Sequence, residues 1–221
     1  LVEPELPFIE PQLQKLLADG PPWEHRERVG IFFGLSATIR YFLQKPLATF
    51  ALMHRQGRMG EALLFIALLQ LFVLVVNVAL ARLSGEPPLP PEMISLLGGE
   101  AFLRWLPWIM VAGLGLSLLI KASSIFIALR LMGEVRYPWS TAFRIVAYAD
   151  GVSSLFGLLP LVGGFLQLFF SFFLLINGLK VIYGLSRKGV LGALFLSLGL
   201  GIIMTLGVAS LVALFFVPAA G

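Results

Sequence analysis

The chain has 221 residues, 58% of them hydrophobic and 13% charged, with a mean hydropathy of +0.93. Soluble domains carry about 25% charged residues, so a water-soluble fold with a large core is excluded. The net charge is +4, but the basic residues are spread over segments flanking apolar runs, a pattern of membrane topology rather than of a nucleic-acid surface. Cysteine is absent, which removes disulfides, thiolate metal sites and cysteine nucleophiles.

Residues 1–29 are proline-rich and mixed in charge, without the basic start and short apolar run of a signal peptide, and are expected to stay in the cytoplasm. Within them, Pro11 to Asp19, closed by Gly20, reads as a short helix with proline in its first turn. Residues 30–60 read as two amphipathic helices. Phe32, Leu35, Ile39 and Phe42 fall at helical spacing on one face, with Arg40 and Lys45 on others. Pro46 then starts a second short helix, PLATFALMHRQ. The expected place of the pair is the cytoplasmic leaflet, apolar stripe in the acyl boundary and cations near anionic headgroups. Packing against the span bundle is the competing reading.

Residues 61–221 are expected to form an all-α membrane domain of five spans, since about twenty apolar residues cross the hydrocarbon core as a helix and satisfy their own backbone. The expected spans run from Ala62 to Arg82, Trp105 to Leu131, Trp139 to Leu159, Leu161 to Leu185 and Val190 to Val217; Arg144 and Asp150 interrupt the third. Lysine and arginine favour the cytoplasmic side. They cluster before the first span, between spans two and three (Arg130, Arg136) and between four and five (Arg187, Lys188). The Ser84 to Arg104 loop is acidic, and neither the Pro160 to Gly164 turn nor the tail after Val217 is charged. A cytoplasmic amino terminus and an external carboxy terminus follow, in a cell membrane.

Small residues at four-residue steps let helices approach closely in lipid. In the fifth span Ser197, Gly201, Thr205 and Ala209 form such a stripe, usable within one bundle or between two copies of the chain. Small, polar faces also carry Lys121 in the second span and Asp150 in the third. An intramembrane charge costs about 2.5 to 3.5 kcal/mol at a helix centre, and at about 1.5 Å per residue these two lie at nearly the same depth. They are expected to pair, either fixing which helices meet or serving transport. Arg144 and Asn177 belong somewhat nearer the cytoplasm, where Arg144 is expected to snorkel and Asn177 to hydrogen-bond between helices.

Catalysis finds no support. His25 and His54 both precede the first span, so no serine–histidine pair forms at membrane depth. Asp150 is the only carboxylate expected there, which leaves no aspartyl dyad. GLGLS and GLGLG lie inside apolar helices and match no phosphate loop. Neither a metal nor a cofactor is expected. Membrane lipids and a protein partner or second copy are, and nucleic acid is not.

PWEHRERVG at Pro22 to Gly30, KPLATFALM at Lys45 to Met53, AFRIVAYADG at Ala142 to Gly151, LLPLVGG at Leu158 to Gly164 and INGLKVIYGLSR at Ile176 to Arg187 occur in that order. In sequence and spacing they resemble the Yip1 family of multispan proteins, in its prokaryotic form. The resemblance implies five spans with the amino terminus cytoplasmic, and a non-enzymatic organiser or adaptor. Eukaryotic relatives are associated with Rab GTPases, vesicle traffic and membrane shape. Their aspartate-leucine-tyrosine-glycine-proline motif has no counterpart here, where the first span opens as GEALLF. The alternative reading is a transporter or channel for ions, small solutes or lipids using Asp150 and Lys121.

Overall fold

The computed structural model describes residues 20–53, 58–85 and 100–216. The expected helix at Pro11 to Asp19, most of the acidic loop and the tail after Val217 lie outside the described residues. Every regular element among the described residues is helical. A 3-10 turn at Pro22–His25 leads into α1 (Arg26–Val29), α2 (Ile31–Gln44) and α3 (Pro46–Leu52). The long helices follow: α4 (Met59–Ser84), α5 (Glu100–Leu131), α6 (Trp139–Ser154, continued by a 3-10 turn at Leu155–Leu158), α7 (Gly163–Tyr183) and α8 (Arg187–Phe216). Pro46 opens α3, where its missing N–H has no helical partner to lose.

Among the described residues, four helices are long and apolar enough to cross a membrane: Met59–Ser84, Ala112–Leu131 within α5, Gly163–Tyr183, and Arg187–Leu211 within α8. They mark an all-α, multi-pass membrane protein. The remaining expected span, Trp139 to Leu159, differs in kind. Its helix α6 is 16 residues long, and thirteen of those are buried against α4, α5, α7 and α2. Wrapped by protein rather than lipid, α6 accommodates Thr141, Arg144, Ser153 and Ser154 in buried positions, and its composition is correspondingly less apolar.

Close approaches give the helix directions. Gly151 of α6 lies against Phe65 and Ile66 of α4, and Gly157 against Val73, so α4 and α6 run parallel. Ile145 meets Gly178 of α7 while Phe156 meets Gly163, so α6 and α7 run antiparallel. A Cβ on Gly178 would fall 2.7 Å from the Ile145 side chain and 3.1 Å from the Phe50 ring; its absence lets α3, α6 and α7 meet. One end of the bundle therefore gathers α2, α3, the starts of α4, α6 and α8, and the ends of α5 and α7. Helix α8 lies outside, chiefly against α5.

The apolar stripe of α2 is not presented as one face. Phe42 is fully buried, Leu35 and Ile39 are half-buried against the core, and Phe32 is 88% exposed. The face that α2 buries is Gly34, Thr38 and Phe42, turned by roughly 80° from the expected one. Backbone approach is the cause: a Cβ on Gly34 would lie 3.2 Å from the Pro22 carbonyl and 3.3 Å from the Arg26 Cβ. Beside it, Thr38 Oγ1 accepts a 2.8 Å hydrogen bond from the Trp23 N–H. A search for large apolar residues does not register a face built from small ones.

Candidate functional site: two charge clusters on α6

Helix α6 carries one ionic cluster in its second half, at Asp150, and another in its first half, at Arg144. The first joins three helices. Lys121 of α5 donates from Nζ to Asp150 Oδ1 of α6 at 2.6 Å and to Ser171 Oγ of α7 at 3.0 Å; the Ser171 hydroxyl donates to the same Asp150 oxygen at 2.6 Å. Lys121 lies about 15 Å from the end of α5 and Asp150 about 17 Å from the start of α6, so the triangle closes deep in the bundle. A desolvated ion pair is retained only when good geometry and added hydrogen bonds offset its desolvation, and Ser171 supplies both added bonds. The side chains are not sealed: Lys121 is 36% and Asp150 21% exposed.

Lys121, but not Asp150, lines a groove of about 460 Å³ between α5, α7 and α8, with Ser117 and Ser124 on the same wall and Ser197, Gly201 and Thr205 on another. The small-residue stripe of α8 divides along its length. Ser197 is buried and Gly201 approaches Ser124 Oγ, whereas Thr205 and Ala209 are exposed. The stripe thus packs on α5 over its first half and parts from it over the second.

The second cluster centres on Arg144, which the sequence places near the interface as a snorkelling residue. In the structure Arg144 has no exposed surface. Its guanidinium donates from Nη2 to Glu24 Oε1, which also accepts a 2.8 Å hydrogen bond from the Tyr148 hydroxyl. The Pro22–His25 turn holds Glu24 there. Trp23 is fully buried, edge-on to Phe65 at 5.8 Å, and donates from Nε1 to the Glu61 carbonyl at 2.7 Å. Arg26 pairs with Glu61 and lies 4.9 Å over the Trp23 ring. The turn is a strap across α2, α4 and α6, and its carboxylate is the counter-charge of the buried arginine.

Asn177 joins neither cluster; its amide donates to the Phe173 carbonyl of its own helix at 2.8 Å. Glu24 and Ser171 are participants that sequence reasoning missed. A signal for Glu24 existed: with Asp150 assigned to Lys121, Arg144 lacked a counter-charge. Ser171 had only the signal of a lone hydroxyl inside an apolar run. No known protein family, curated protein or solved structure matches the chain.

Proposed function

We propose that the chain is a five-span, Yip1-type protein of the cell membrane that acts without catalysis, organising lipid or partner proteins at its cytoplasmic end. The fifth crossing is α6 with its 3-10 continuation, together about 32 Å long, against a hydrocarbon core of about 30 Å. The end that gathers α2 and α3 faces the cytoplasm by the excess of lysine and arginine there. Exposed at that end are Arg28, Arg40, Lys45, Arg130, Arg187 and Lys188.

The observation that carries the organising role is the apolar surface beside those cations. Ile31, Phe32, Phe33, Leu43 and Leu47 are all exposed, on helices outside the four span candidates. Large apolar side chains interleaved with cations suit the headgroup boundary of an anionic leaflet, or a partner protein held there. This surface replaces the expected stripe: it keeps Phe32 and omits the buried Phe42. The test is extraction into native-lipid nanodiscs of the wild type and of F32E/F33E/L47E. The variant is expected to melt like the wild type and to lose co-purifying protein or the deformation of anionic vesicles. Retention of both activities in a folded variant would remove the surface from the reading.

A further inference from the structure

The groove between α5, α7 and α8 has a chemical asymmetry that an organising role does not use. Its walls are apolar, with Leu168, Phe172, Leu198 and Leu206 among them, and one ammonium opens into it at mid-depth. Lys121 has three N–H donors; two are engaged by Asp150 and Ser171, and the side chain is 36% exposed. On Asp150 both accepted bonds fall on Oδ1, which leaves Oδ2 as an open acceptor among the described residues. One N–H of the Lys121 ammonium therefore stands available midway along an apolar slot, with the Asp150 carboxylate bonded to that ammonium directly behind the lining.

We infer that this groove binds a long-chain carboxylic acid, with its carboxyl group at Lys121 and Asp150 and its chain along the apolar walls. Charge balance selects the ligand class. An ion pair at this depth cannot gain or lose net charge cheaply, so the occupant must arrive neutral and still meet the ammonium. A carboxylic acid does both. Its O–H bond breaks as the proton passes to Asp150, where a new O–H bond forms, and its carboxylate takes the place of Asp150 beside the Lys121 ammonium. One ion pair is exchanged for another, no charge is created, and the proton moves between two carboxyl groups. The Ser171 hydroxyl, within hydrogen-bond distance of both Asp150 and Lys121, remains to bond whichever carboxylate is present. An ester or alkane has no proton to give and leaves the pair unexchanged, while a phosphate brings uncompensated charge.

The experiment uses the full chain in nanodiscs of uncharged and zwitterionic lipid, with carboxyl-labelled palmitic acid followed by carbon NMR and methyl palmitate as the matched uncharged probe. Saturable binding is expected, with palmitic acid held about tenfold or more tightly than its methyl ester. L198W, which fills the slot, and K121M are both expected to lower the affinity about tenfold or more. Because K121M leaves Asp150 without its cation, K121M/D150N serves as the folded variant lacking the pair, with folding checked by circular dichroism. Equal binding of acid and ester, wild-type affinity in folded K121M/D150N, or no saturable binding overturns the inference.

Discussion

Arg144 and Glu24 stand 120 residues apart in sequence and share an ion pair inside the bundle, with the Tyr148 hydroxyl on the same carboxylate oxygen. The arginine belongs to the central helix and the glutamate to a four-residue turn ahead of the first long helix. The amino-terminal strap is thereby part of the core of the membrane domain.

Truncating Glu24 should therefore act like a core mutation. Breaking a buried pair by removing one partner costs about 3 to 5 kcal/mol, so E24A is expected to lower stability by about 3 kcal/mol in denaturant unfolding from nanodiscs. Y148F removes one hydrogen bond to a charged group and should cost about 1.5 kcal/mol. An E24A protein as stable as the wild type would show that the strap only rests on the bundle.

The docking of the strap depends on two small residues of α2. In a chain with Trp105, Trp108 and Trp139 changed to Phe, the emission of Trp23 reports its environment. Wild-type Gly34 should give the blue-shifted emission of a fully buried indole, and G34L a red shift, since a side chain there meets the Pro22 carbonyl and Arg26. T38V leaves the buried Trp23 N–H without its acceptor and should cost about 1 to 3 kcal/mol. A sole Trp23 whose emission is unmoved by G34L would contradict this packing.

How much could be read from the sequence depended on what each feature required. Long apolar runs need only composition, so Met59–Ser84 and Gly163–Tyr183 coincide closely with expected spans. The level of Lys121 with Asp150 needs only a rise per residue. The face of α2 needed its neighbour as well, because Gly34 and Thr38 are buried by the strap rather than by their own apolarity. The environment of Arg144 needed a residue from another part of the chain, and α6 could be understood only once α4, α5 and α7 were placed around it.

The Lys121, Asp150 and Ser171 triangle makes a prediction about coupling. K121M leaves a carboxylate and D150N leaves an ammonium without its charge partner, so each single change is expected to be costly, while K121M/D150N removes both charges. The double variant should melt above the sum of the single losses, with an interaction energy of about 1 to 3 kcal/mol. Strictly additive losses would mean that the two residues act separately.

Whether α6 crosses the membrane is decided by the side on which its two ends emerge. The chain has no cysteine, so each introduced one is the sole target of a membrane-impermeant maleimide. Glu134 follows α5, Leu161 is fully exposed in the turn between α6 and α7, and Ser186 is exposed between α7 and α8. With α6 as a crossing, L161C labels from outside intact cells, whereas E134C and S186C label only after permeabilisation. If α6 instead entered and left on one face, Leu161 would share the side of Glu134 and L161C would stay protected in intact cells. The antiparallel packing of α6 on α7, from Ile145 against Gly178 to Phe156 against Gly163, requires the two ends of α6 to lie a full helix length apart. That geometry favours external labelling at Leu161, and protection there would return the domain to four crossings around a buried sixth helix.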